Sequence, residues 1–323
     1  MVILHRIKSG SGLTASTHNI IQQRLAQLSA HLVIAIIILV VIGGATRVME
    51  AGLACPDWPL CYGSLLPREQ MNIKVFLEWF HRLDAFVVGL ILIVQLGAAI
   101  AWQRKLPHWF LWVAASLVLL VVMQGFLGAL TVTYLLPGII ITAHLGLALT
   151  LLAIVSALTQ CLQASSHVMT PLWWRLSSSA CLLAVLGQCL LGARMATNWS
   201  VRRCLTSGGS CELLGLHRVV AIAVTVLLLL FVALALAAGG WFRQQWPLLA
   251  LLTSLTIAQV ALGMATLRLG LSQSILTIGH QLVGALLVAL MASLAARRPT
   301  VSPGTPAIPA VADSNISLEP CHG

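Results

Sequence analysis

Charge is what this sequence has least of. Only 8% of its 323 residues are Asp, Glu, Lys or Arg, and just eight are acidic. Soluble domains carry about 25% charged residues, so an ordinary water-facing surface is excluded. No run or stripe of basic residues is present either. The net charge of +10 is scattered over the ends of apolar segments, which excludes a nucleic-acid-binding face. The first residues, MVILHRIKSGSGLTASTHNIIQQRLAQ, lack a cationic stretch leading directly into a short apolar core and a small-residue cleavage site. They read as a retained basic tail over 1–27, not as a signal peptide.

What is present is apolar, at 59% of the chain. A helix needs roughly 20 mostly apolar residues to cross the hydrocarbon of a bilayer. Eight segments qualify, at 28–46, 78–102, 109–133, 138–161, 175–195, 214–238, 246–268 and 272–295. Pro107, Pro137, Pro171 and Pro247 punctuate their connections, where helices restart. The expected fold is an all-α integral membrane protein with eight transmembrane helices. The Pro- and Ser-rich stretch at 299–323 has no period and reads as a disordered tail.

The histidines repeat. His81 and His144 are 63 residues apart, His217 and His280 are again 63 apart, and the two pairs are offset by 136. QGFLGALTV at 124–132 resembles QVALGMATL at 259–267, and GGATR ending at Arg47 resembles LGAR ending at Arg194. The chain therefore reads as two parallel four-helix-bundle repeats, 28–165 and 166–298, in one orientation because four is even. By parity all four histidines lie toward one membrane face. Lys and Arg divide nine against nine between the two sides. Setting aside Arg47, Arg82, Arg194, Arg218 and Arg268, which flank the motifs, leaves nine against four and puts both termini in the cytoplasm.

One histidine near a helix start is ordinarily an interfacial or hydrogen-bonded core residue. Four in register, within spans nearly free of polar groups, point to ligands. Zinc prefers closely spaced tetrahedral donors. Facing imidazoles from separate helices of a bundle suit the two axial positions of a haem iron. His81 with His144 and His217 with His280 are the candidate iron ligands, and Arg82 and Arg218 the candidate contacts for the anionic propionates. His5, His18, His31, His108, His167 and His322 have no counterpart at the repeat spacing.

Cys55/Cys61, in GLACPDWPLC, and Cys204/Cys211, in CLTSGGSC, occupy loops after odd-numbered spans. Each pair can close a small disulfide loop, as a structural staple or as a thiol–disulfide redox step. Cys161, Cys181 and Cys189 lie in or at the end of spans and read as small apolar side chains. Glu78 precedes His81 by three residues and shares its helix face. It is either a first-turn acid favouring the helix dipole or a carboxylate serving chemistry on the His81 iron. Glu212, five residues before His217, is rotated away. Asp84, three residues past His81, stays unassigned.

The motifs GGATRVMEAGLACPDWPLCYG, EWFHR, AHLGLAL and GLHR resemble the haem A synthase family of the bacterial, cysteine-pair type. The resemblance covers all eight spans, and CPDWPLC followed by E-x-x-H-R is its most specific part. It implies a membrane oxidoreductase that oxidises the C8 methyl of haem O to the formyl of haem A, for terminal oxidases. His81 and His144 would hold the iron of the substrate haem O, and His217 and His280 that of a resident haem b. Glu78 would be catalytic together with Cys55 and Cys61, with Cys55–Cys61 and Cys204–Cys211 as disulfides. The implied partners are haem O, haem O synthase and a membrane electron donor or acceptor, within a bacterial plasma (inner) membrane and with the active site toward the outer face. A homo-oligomer is compatible with it. Two other classes compete: a dihaem cytochrome b that only carries electrons, and a quinone-linked thiol–disulfide oxidase.

Overall fold

The computed structural model describes residues 9–163, 170–197, 204, 211–269 and 271–299, with side chains from Ile20 onward. Residues 1–8, the expected tail from 300, His5, His167, His322, Cys321, Arg202, Arg203 and most of the CLTSGGSC loop lie outside them, as does the side chain of His18.

Among the described residues, eight helices are long and apolar enough to cross a membrane. They are α1 (Ser9–Val48), α2 (Ile73–Ala101), α3 (His108–Thr133), α4 (Gly138–Gln163), α5 (Leu172–Thr197), α6 (Glu212–Ala238), α7 (Trp246–Arg268) and α8 (Ser274–Ala296). A five-residue helix, Gly240–Gln244, bridges α6 and α7. The eight spans sit where the apolar runs put them. The largest difference is at α1, which starts at Ser9 and not near residue 28. The residues before the apolar run, NIIQQRLAQL, are good helix formers without Pro or Gly, so nothing stops the helix at the edge of the run. Elsewhere the ends have local causes. The side chain of Asn72 accepts from the N–H groups of Lys74 and Val75 and starts α2. Leu135 and Leu136 take positive φ and end α3.

Helix contacts form two closed rings. α1 meets α2, α2 meets α3, α3 meets α4 and α4 returns to α1; α5 meets α6, α6 meets α7, α7 meets α8 and α8 returns to α5. The rings join where α1 packs on α8, and α4 on α5 and α8. The core follows that seam, with Leu32 and Ile36 of α1, Leu152 and Val155 of α4 and Val288, Met291 and Leu294 of α8 fully enclosed. Polar side chains join helices where hydrocarbon offers no other partner. Gln281 of α8 donates to the Val40 carbonyl of α1 at 2.8 Å, and Gln22 of α1 donates to the Leu162 carbonyl of α4 at 3.0 Å. At the end away from the histidines, Trp174 is fully buried against Phe231, Trp241 and Phe242 and donates to the Leu294 carbonyl.

Candidate functional site

Each of the four histidines lies within the first three turns of an even-numbered helix, with its ring against a glycine of the preceding helix. A Cβ placed on Gly43 of α1 would stand 2.9 Å from Cε1 of His81, and one on Gly192 of α5 3.1 Å from Cε1 of His217. The same atom on Gly263 of α7 would be 3.1 Å from Cε1 of His280, and on Gly128 of α3 3.4 Å from Cε1 of His144. The ring occupies the space a side chain would take at Gly43 and crowds it at Gly192 and Gly263, whereas at Gly128 the contact is ordinary.

One turn before three of these glycines stands a glutamine. Gln188 places its amide nitrogen 3.0 Å from Nδ1 of His217 and donates to the His217 carbonyl at 3.0 Å. The backbone carbonyl of Gln259 lies 3.1 Å from Nδ1 of His280, and its amide nitrogen is 3.3 Å from Nε2. Gln124 donates to the His144 carbonyl at 3.0 Å. In α1 the equivalent position is Leu39, so His81 has no amide beside it. Sequence reasoning missed these glutamines, although Q-x-x-x-G recurs at 124–128, 188–192 and 259–263.

His81 and His144 stand on helices diagonal to one another in the first ring, α2 and α4, and His217 and His280 on the diagonal pair of the second, α6 and α8. Nδ1 of His81 and Nδ1 of His144 are buried without a hydrogen-bond partner. Among the described residues no three His, Cys, Asp or Glu side chains converge as a metal-ion cage requires. Imidazoles set in pairs fit a flat iron porphyrin held from both faces; those of the first pair have unbonded Nδ1 atoms, while those of the second also meet Gln188 and Gln259. In the second ring of helices, a cavity of about 350 Å³ beside Gln188 is lined by Ala184, Gly187, Val220, Ala223, Val224 and Leu227. Another of about 360 Å³ lies nearer the start of α6 and is lined by Arg218, Arg268, Leu214 and both cysteines of the second pair. His217 lies between their lining residues in the sequence of α6 and itself lines neither.

The loop between α1 and α2 is densely bonded. Cys55 and Cys61 form a disulfide, 0% and 1% exposed, packed on Val75 and Trp79 of α2. Cys61 and Ser64 exchange backbone hydrogen bonds around Tyr62 and Gly63, both at positive φ, the geometry of a tight hairpin turn. Asp57 makes that turn possible for a tyrosine. Its carboxylate accepts from the N–H of Tyr62 at 2.6 Å and of Gly63 at 2.7 Å, the cradle that consecutive left-handed residues offer an anion. The Gly63 N–H, with that of Tyr62 and the nearby Arg82 charge, holds the Asp57 carboxyl below the usual carboxylate range.

Glu78 lies under this loop, 5% exposed. One of its oxygens accepts from the Cys55 N–H at 2.9 Å, and the other from Nη2 of Arg82 at 2.5 Å. Asp84 does not bond Arg82; one of its carboxylate oxygens is buried without a partner. In the second half Cys204 and Cys211 are also bonded, and Glu212 begins α6. Cys161, Cys181 and Cys189 are free thiols.

The model of the COX15-CtaA family, described as cytochrome oxidase assembly protein, matches residues 26–211. Among curated proteins, a heme A synthase of Shewanella oneidensis is 30% identical over 203 residues, 54% of this chain and 58% of that protein. A heme A synthase of Bacillus pumilus is 33% identical over 120 residues, 35% of this chain and 37% of that protein. One of Exiguobacterium sibiricum is 28% identical over 129 residues, covering 39% and 42%. The chain thus spans less than two thirds of the length of these relatives.

Proposed function

This chain belongs to the COX15-CtaA family of cytochrome oxidase assembly proteins, and from that premise we propose that it is a haem A synthase, oxidising the C8 methyl of haem O to a formyl within the membrane. The observation that carries the reading is one juxtaposition. Glu78 and His81 share a face of α2, about one turn or 4.5 Å of rise apart, beneath a disulfide loop bonded to the carboxylate itself.

The placement of the residues supports the following roles. His81 and His144 hold the iron of haem O as substrate. His217 and His280 hold a resident haem b, which when bound supplies one-electron chemistry. Arg218, with Arg268 beside it in the cationic cavity, meets its propionates. Gly43, Gly128, Gly192 and Gly263 admit the imidazoles, and Gln188 and Gln259 orient those of the resident site. Glu78 faces the substrate side. There it takes up a proton leaving the methyl carbon, or stabilises positive charge developing at that carbon. The disulfide loop closes over Glu78 and keeps water from it; Cys55 contributes through its N–H as well as its sulfur. Residues 28–165 form the converting half and 166–298 the retaining half, as parallel repeats. The multi-pass chain lies in a bacterial inner membrane with both termini cytoplasmic and the site toward the outer face. Haem O synthase is the natural donor of the substrate.

The test is expression in a host that makes haem O but no haem A, followed by extraction and chromatography of the haems in the purified protein. Haem A beside haem b is the expected result. Haem b alone would make this chain a dihaem electron carrier.

A further inference from the structure

Arg82 directly follows a candidate iron ligand, a place suited to a propionate contact, yet its guanidinium is turned elsewhere. Nη1 donates to the carbonyls of Asp57, at 2.5 Å, and Leu60. Nη2 donates to the carbonyl of Cys55 at 3.3 Å and to Glu78 at 2.5 Å. All four hydrogens on the two terminal nitrogens are thereby committed, and a two-pronged grip on a second carboxylate would need two of them back. The three carbonyls span the disulfide loop from end to end. The Glu78 carboxylate, bound by the same guanidinium, also accepts the Cys55 N–H. The counterpart in the other half, Arg218, has no such partners among the described residues and lines the cationic cavity instead.

We propose that Arg82 is a positioning residue that latches the Cys55–Cys61 loop onto Glu78, fixing the carboxylate's direction and closing the loop over it, while Arg218 is left for a ligand. The inference deepens the reading of Glu78 given above and rests on it only for the effect on turnover. The latch needs a planar fork that reaches three carbonyls and a carboxylate at once. The ammonium of lysine has three donors around a point and cannot span them.

The experiment uses the full chain in lipid. Dithiothreitol is added, and maleimide mass-tagging follows the opening of Cys55–Cys61, with Cys204–Cys211 in the same molecule as reference. Arg82→Gln should open the first bond about tenfold faster and leave the second unchanged. Arg82→Lys should fall between, and Arg218→Gln should leave the first bond at its original rate. Haem O conversion by Arg82→Gln should fall in kcat with KM for haem O held. An unchanged opening rate overturns the latch. So does equal acceleration at both disulfides, or a loss of conversion residing wholly in KM, which is the mark of a substrate-carboxylate contact. The opening rate requires no haem, so its failure is distinct from failure of the haem A synthase reading.

Discussion

Gly43 and His81 are so close that the smallest side chain discriminates between their roles. Alanine at Gly43 places its Cβ 2.9 Å from the ring, against 3.1 Å at Gly192 and Gly263 and 3.4 Å at Gly128. The first distance forces the imidazole to move, and the last is ordinary van der Waals contact. Gly43→Ala should therefore lower haem O conversion roughly tenfold to a hundredfold, the scale of an ångström of misplacement. Gly128→Ala should stay near the parent, and Gly192→Ala and Gly263→Ala should weaken the resident haem; chromatography of bound haems reads all four. Replacing Gln188 or Gln259 by Leu should weaken resident-haem binding about tenfold and alter its low-spin spectrum, the usual effect of removing a ligand's orienting partner. The histidines and Glu78 were legible in the sequence because polar groups in spans are few and fell in register. The glutamines were visible too, but one amide in a span reads as interhelical glue until its neighbour across the helix pair is known.

At the scale of elements, the α1–α2 loop is held by three devices: the disulfide, the Asp57 cradle under Tyr62 and Gly63, and Arg82. Asp57 gives the loop a pH signature whose sign is fixed. Its carboxyl is depressed in the folded loop, so its contribution is complete above the ordinary aspartate value of about 3.9. It is lost only as pH falls through the lower, folded value. Protection of the Tyr62 and Gly63 amides from hydrogen exchange should accordingly hold at neutral and mildly acidic pH and fall away only below the usual carboxylate range. Asp57→Asn should lack that acid step. The sequence shows two stiff prolines and two thiols in this loop. Where Arg82 points could not be read from it, because a side chain twenty-odd residues away in sequence meets those carbonyls only once the turn at Tyr62 has folded. The eight spans were legible for the opposite reason: hydrocarbon thickness dictates their length. Their packing order was not, because helices apolar on every side carry no stripe that names a neighbour.

Taken whole, the molecule joins two rings of helices with similar histidine pairs and different surroundings. The first has Glu78 under a latched loop and no amide beside His81. The second has glutamines on both histidines and a cavity with two arginines. Alanine at His217 or His280 should remove the resident low-spin haem spectrum, whereas alanine at His81 or His144 should abolish conversion and leave that spectrum in place. Equal loss of resident haem from all four variants would contradict a division of labour between the halves. The division depends most on Glu78, and one comparison tests it directly: the haem content of Glu78→Gln beside Glu212→Gln and the parent chain, each isolated from cells supplying haem O. Glutamine keeps the size and most of the hydrogen bonding of glutamate and removes its charge. Glu78→Gln should retain haem b and bound haem O and contain little or no haem A, with a partly oxidised alcohol as the only conversion product, while Glu212→Gln makes haem A as the parent does. Haem A at the parent's level in Glu78→Gln would contradict the account.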